Sequence, residues 1–112
     1  FDAGQVDKAI LAYNRSLALV PDNPNVLTDL GVMYRRKGQP LEAIKSFDRA
    51  IQANPRQEAA YFNKGVVFLH DLNKKDEAIK AWEALVLVNP GAKVQNGELV
   101  IELIENIKAK KP

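Results

Sequence analysis

Apolar side chains fall along this chain at helical intervals, and no segment sustains the every-other-residue alternation of a half-buried strand. Between Pro40 and Pro55, Leu41, Ile44, Phe47, Asp48 and Ile51 follow three-to-four spacing with one polar interruption. That spacing predicts a helix with one apolar face. The pattern recurs in the stretches AILAYNRSLALVP (9–21), AIKSFDRAIQANP (43–55) and AIKAWEALVLVNP (78–90). Each opens on Ala-Ile, carries an aromatic residue (Tyr13, Phe47, Trp82) four positions after the Ala, and closes on Pro. Pro21 and Pro55 are 34 residues apart, and Pro55 and Pro90 are 35 apart.

The segments between these stretches repeat as well. VLTDLGVMYRRKG (26–38) aligns with AYFNKGVVFLHDL (60–72), so that Leu27 matches Tyr61, Gly31 matches Gly65 and Tyr34 matches Phe68; Gly4 precedes Gly38 by the same 34 residues. Each unit therefore reads as two helices. Asn23 is the expected N-cap of the first arm, with Pro24 at a position where a missing N–H costs nothing. Gly38 is the expected left-handed stop, and Pro40 starts the second arm. Gly31 and Gly65 sit in helix interiors, where Gly costs ~1 kcal/mol against Ala. Such a residue points to close approach of another helix. Small Ala43 and Ala78 fit the same reading, with Tyr34 and Phe47 filling the remaining space.

These residues resemble the tetratricopeptide repeat, W-x2-L-G-x2-Y, then A-x3-F, then P. The middle unit matches through Leu27, Leu30, Gly31, Tyr34, Ala43, Phe47 and Pro55, with Leu27 standing where the pattern has Trp. The third matches through Tyr61, Gly65, Phe68, Ala78, Trp82 and Pro90; it departs at Lys64 and carries one extra residue within 70–76. The first keeps only its second helix, through Ala9, Tyr13 and Pro21. The resemblance implies an all-α, right-handed superhelical stack of antiparallel helix hairpins with a C-terminal capping helix. The expected single domain, 1–112, comprises a partial repeat (1–21), repeats at 24–55 and 58–90, and a cap at 93–110.

In that cap Leu99, Val100, Leu103, Ile104 and Ile107 form one stripe, with Ile101 off it. Repeat stacks need such an end, because a bare last hairpin would expose its apolar face. At the other end, Phe1–Ala3 read as the last turn of a first helix that is otherwise missing. Its partner, 6–20, is apolar on two sides: Ile10, Tyr13 and Leu17 on one, Val6, Leu11 and Ala18 on the other. The second side is expected to be covered, either by a weak two-fold homodimer through this helix or by an upstream helix of the parent protein. The chain opens on Phe1 rather than Met and is expected to be a piece or processed form of something longer.

Composition narrows the function classes. The chain has 112 residues, 46% hydrophobic and 27% charged, with a net charge of +2. That is an ordinary globular balance. It offers no clustered basic face for nucleic acid; Lys108, Lys110 and Lys111 suit a helix C-terminus. The absence of cysteine excludes disulfides, thiolate catalysis and Cys-based zinc sites. No apolar run approaches the ~20 residues of a membrane span. No signal peptide is visible, and the composition suits cytoplasm or periplasm alike.

No constellation for catalysis or for a cofactor emerges. A hydrolytic triad on His70 would need Ser16 or Ser46, which lie on second helices of other units. A metal site would need His70 with Asp71 and Asp76, which read as a hydrated turn. Asp76 and Glu77 open a helix, where the dipole accounts for them. Tyr13, Phe47 and Trp82 read as core rather than as a stacking platform for bases. The chain is expected to be neither an enzyme nor a metalloprotein.

The resemblance implies a concave surface lined by the first arms, where extended peptides or partner helices bind. The candidate residues are Asn25, Thr28, Asp29, Val32, Arg35 and Arg36 in the middle unit, and Ala59, Phe62, Asn63, Val66, Leu69 and His70 in the third. Val32, Phe62, Val66 and Leu69 make an apolar strip expected to form a side-chain pocket, unless the cap covers it. The family's best-known peptide mode grips a terminal carboxylate with Lys, Arg and Asn. Asn63 matches one of those, whereas Asn25 and Ala59 stand where cations are wanted. The expected role is a protein–protein interaction scaffold, as in an assembly or biogenesis factor. The alternative is a self-association or regulatory module of a larger enzyme or envelope protein.

Overall fold

A computed structural model describes residues 2–110, and every regular element in it is helical: α1 (Ala3–Leu19), α2 (Pro24–Arg36), α3 (Pro40–Ala53), α4 (Glu58–Val66), α5 (Lys75–Val88) and α6 (Val100–Ala109). A π-helical turn, Val67–Asp71, continues α4. The helices form a right-handed superhelical stack of antiparallel hairpins, in which α2 packs chiefly on α3 and α4 on α5. No described helix is long and apolar enough to cross a membrane.

The punctuation follows local chemistry. Asn23 caps α2 by accepting from the N–H groups of Asn25 and Val26, with Pro24 in the first turn. At the other end Gly38 takes φ +80, its N–H donates to the Arg35 carbonyl, and the Gln39 N–H closes on the Tyr34 carbonyl at 2.9 Å. That pair of bonds satisfies carbonyls the helix would otherwise leave orphaned. In the third unit the extra residue falls at the start of the expected span 70–76, since Leu69 follows Arg35 by 34 residues and Asn73 follows Gly38 by 35. It widens the end of the first arm: the Leu72 N–H reaches five residues back to the Val67 carbonyl, and the Lys74 N–H closes on Phe68 at 2.7 Å. Asn73, φ 53, takes the left-handed role of Gly38. Asparagine tolerates that region better than most side chains.

Two apolar clusters hold the stack. The first joins Leu17, Leu27, Leu30, Ala43, Phe47, Ala50, Ala60 and Val67. The second joins Ile79, Trp82, Leu85, Ala92, Val100, Ile104 and Ile107. The arms cross at the two glycines: a Cβ on Gly31 would stand 2.5 Å from the Phe47 ring, and one on Gly65 would stand closer still to the Trp82 indole. Trp82 Nε1 donates to the Phe62 carbonyl at 3.0 Å, and the Phe62 and Trp82 rings stack with centroids 5.9 Å apart.

Four expectations are corrected. Leu41 is 65% exposed, because the buried face of α3 runs one step away, through Ala43, Ser46, Phe47 and Ala50. The last helix starts at Val100 rather than near 93. Residues 93–99 instead make a tight antiparallel turn, with Lys93 bridged to Leu99 and Gly97 at φ +89. Asp2 and Ala3 do not end an earlier helix; Asp2 caps α1 in a reciprocal box with Gln5, so Gly4 is helical (Phe1 lies outside the described residues). Val6, on the side expected to need a cover from outside, is buried within this chain, whereas Leu11 and Ala18 are exposed. The C-terminal lysines do more than face a dipole: Lys108 Nζ pairs with Glu83 of α5 at 3.1 Å, and the Lys110 carbonyl accepts from Lys75; Lys111 lies outside the described residues.

Candidate functional site

The first arms, α2 and α4 with its π-helical continuation, carry every residue expected to contact a partner, and these residues fall into two stripes. Thr28 and Arg35, two helical turns apart, face the next layer. Thr28 is buried; its hydroxyl donates to the Pro24 carbonyl at 2.7 Å and accepts from Gln57 Nε2 at 3.2 Å. Arg35 grips Asp71 bidentately, Nε to Oδ2 at 2.6 Å and Nη2 to Oδ1 at 3.2 Å. Both groups are partly solvated, at 40% and 26% side-chain exposure. A double-mutant cycle with Arg35→Ala and Asp71→Ala is therefore expected to give a coupling no larger than about 1 kcal/mol, shrinking as salt is added. A coupling well above that, indifferent to salt, would mean the pair is held far from water.

Phe62 and Leu69 are the 34-residue equivalents of Thr28 and Arg35. Here the next layer is the cap, so the same positions are apolar. Phe62, Val66 and Leu69 are half-buried and pack against the cluster that contains Val100, Ile104 and Ile107 of α6. Val32 likewise packs on the first cluster. The apolar strip expected as an open side-chain pocket is thus largely taken up by internal packing.

The second stripe follows the spacing i, i+4, i+7, i+11: Asn25, Asp29, Val32 and Arg36 on α2, and Ala59, Asn63, Val66 and His70 on α4. Asn25, Asp29, Arg36, Ala59 and His70 are exposed, and Val32, Asn63 and Val66 are half-buried. Gln57 Nε2 donates to Asn25 Oδ1 at 2.9 Å, which ties the start of α2 to the start of α4. Arg36 also borders a cleft of about 490 Å³ at the N-terminal end, lined by Asp2, Ala3, Val6, Asp7 and Lys37. There Lys37 Nζ pairs with Asp7 at 2.9 Å.

This surface offers hydrogen-bonding and charged groups of both signs over a small apolar base. It does not assemble a nucleophile with a base: Ser46 is buried in α3, and Asp71, beside His70, is engaged by Arg35. Among the described residues no three His, Asp or Glu side chains gather as a metal site would require. Gln57 carries no signal in the sequence, and Asp71 reads there only as part of a hydrated turn, yet both organise the face. The matched pairs 28/62 and 35/69 were the signal that could have separated the stripes.

The family model for the tetratricopeptide repeat matches residues 28–92, and a TPR repeat model matches residues 1–38. Protein FlbA of Caulobacter vibrioides is 34% identical over 91 residues, covering 81% of this chain and 15% of FlbA. Photosystem I assembly protein Ycf3 of Prochlorococcus marinus is 25% identical over 104 residues, covering 79% of this chain and 60% of Ycf3. The chain thus spans only part of the length of either relative. Among solved structures, the second TPR domain of human RPAP3, in complex with the HSP70 peptide SGPTIEEVD, is similar with a TM-score of 0.78 and 25% identity, covering 96% of this chain and 84% of that one.

Proposed function

This chain belongs to the tetratricopeptide repeat family, and we propose that it is a protein-interaction scaffold whose open first-arm stripe receives a peptide or partner helix. The observation that carries this reading is the division of the first arms: one stripe is consumed by ties between layers, while Asn25, Asp29, Arg36, Ala59 and His70 stay exposed. Curved repeat stacks present such first-arm surfaces to extended ligands. The stretch shared with Ycf3 supports a role in assembling a larger protein complex.

The chemistry of the stripe favours one kind of ligand over another. SGPTIEEVD is acidic and ends in a free carboxylate. Towards the start of the arms the stripe presents neutral Asn25, Ala59 and Asn63 with the Asp29 carboxylate among them, and the Arg36 guanidinium stands two turns further along α2. An acidic tail would meet repulsion there. A segment with a cation for Asp29 and a compact apolar side chain over Val32 and Val66 fits better. We therefore expect SGPTIEEVD to bind negligibly in fluorescence titrations. Peptides selected from a random library against the domain should lose at least about tenfold in affinity, ~1.4 kcal/mol, on Asp29→Lys, with the melting curve unchanged. Tight binding of the acidic tail, or selected peptides indifferent to Asp29→Lys, would overturn the proposal.

A further inference from the structure

The first arm of the third unit holds one residue that its counterpart lacks, and that residue has a partner. In α2 the Lys37 N–H reaches four residues back, to the Met33 carbonyl; the corresponding bond in the third unit runs from Leu72 to Val67, five back. Asp71, the last residue of the widened turn, therefore has no equivalent between Arg36 and Lys37. Its carboxylate returns across the layer boundary to Arg35, with one oxygen on Nε and the other on Nη2.

The setting is a run of cations. Arg35 and Arg36 close α2, and Lys37 follows. Acids from both neighbouring layers answer two of the three: Asp71 holds Arg35, and Asp7 of α1 holds Lys37. Arg35 comes three residues after Val32, about 60° round the helix from it. It therefore borders the open stripe on the side of α4, and its side chain stays partly exposed. A guanidinium so placed offers a ligand carboxylate two parallel N–H donors. Asp71 already occupies that fork, and its own charge repels a second carboxylate. The fold gains little from a pair as solvated as this one. The larger consequence is electrostatic, because the pair cancels a cation beside the binding surface.

We propose that Asp71 is a specificity-determining residue of the open first-arm stripe. By holding Arg35 it closes the space between the ends of α2 and α4 to ligand carboxylates, and it leaves that space to neutral or cationic segments. This inference rests on the reading of the stripe as the binding surface.

The test uses fluorescein-labelled SGPTIEEVD, titrated by anisotropy at low salt. The unmodified chain should bind it negligibly. Asp71→Asn should raise the affinity at least about fivefold, with the melting curve close to that of the unmodified chain. Asp71→Ser should do the same, and Asp71→Glu, which keeps the carboxylate, should not. In an Arg35→Gln background the gain should be smaller by at least about twofold, because the two residues act as a unit. Nuclear magnetic resonance supplies a readout that a merely structural role would not move. The Arg35 Nε–H resonance should shift when peptide is added to Asp71→Asn and stay fixed in the unmodified chain. The proposal is overturned by a missing gain in both Asp71→Asn and Asp71→Ser, by an equal gain with Arg35→Gln, or by an unmoved Nε–H resonance. Tight binding by the unmodified chain would overturn it together with the reading of the stripe. Selected peptides indifferent to Asp29→Lys, with the gain at Asp71 intact, would instead sink the reading of the stripe and leave the role of Asp71 standing.

Discussion

Gly65→Ala is expected to destabilise the domain by about 1–3 kcal/mol, although alanine is the better helix former. Propensity alone favours the alanine by ~1 kcal/mol. Against that, the new methyl would stand inside the contact shell of the Trp82 indole. The indole has little freedom to retreat: its Nε1–H is bonded to the Phe62 carbonyl, one of its faces is stacked on the Phe62 ring, and its side chain is 2% exposed. Over-packing of this kind costs ~1–3 kcal/mol, and loosening the hydrogen bond adds about 1 more, so the steric side wins. Gly31→Ala should lose less, because Phe47 has no hydrogen bond to sacrifice. Leu at either position should exceed 3 kcal/mol. Urea unfolding followed by circular dichroism reads these differences, and an unchanged midpoint for Gly65→Leu would mean that the crossing point has been misplaced.

The larger effect is expected from removing the cap. In a chain ending at Gly91, the burial of Val100, Ile104 and Ile107 is lost, at ~1.5–3 kcal/mol for each fully buried side chain. The sum is comparable to the whole stability of an ordinary domain, ~5–15 kcal/mol. Ile79, Trp82 and Leu85 would be uncovered at the same time. Because each layer of a repeat stack leans mainly on its neighbours, the loss should concentrate in α4 and α5, while α2 and α3 hold longer. Hydrogen exchange in the truncated chain should show fast amides in α5 and slower ones in α3. Uniform protection along both would refute this division. The single substitution Ile104→Ala, at a residue 1% exposed, tests the same interface more gently, at ~2–5 kcal/mol.

What could be read beforehand was what local chemistry decides. Asn23-Pro24, Gly38 and Pro40 specify caps and stops within a few residues, and each does so in the structure. The buried face of α3 shares Phe47 with the expected one but lies one step from it elsewhere. Leu41, Ile44, Asp48 and Ile51 satisfy helical spacing just as Ala43, Phe47 and Ala50 do. Ala43 stands out by its repeat with Ala78, whereas Ser46 and Ala50 do not stand out as core until a partner helix is seen to press on them. The turn at 93–99 reads as helix in the sequence because it adjoins a genuine apolar stripe, and it hangs on the left-handed Gly97. The first-arm positions can be listed from the repeat, but the sequence does not divide them into two stripes. Whether Thr28 and Phe62 look toward a ligand or toward the next layer depends on what that layer is, and this is a property of the stack rather than of either helix.

The widened turn at Val67–Asp71 bears on how such chains tolerate changes of length. The extra residue is taken up inside the wall of the first arm, ahead of Asn73, and the crossing is undisturbed: Trp82 meets Gly65 as Phe47 meets Gly31. The arms stay in phase although the first of them carries one residue more. Hairpins of unequal length can therefore be spliced in tandem without redesigning the connectors, provided the indel falls beyond the glycine crossing and before the left-handed stop. The same indel ahead of the glycine would rotate the whole notch away from its aromatic ring.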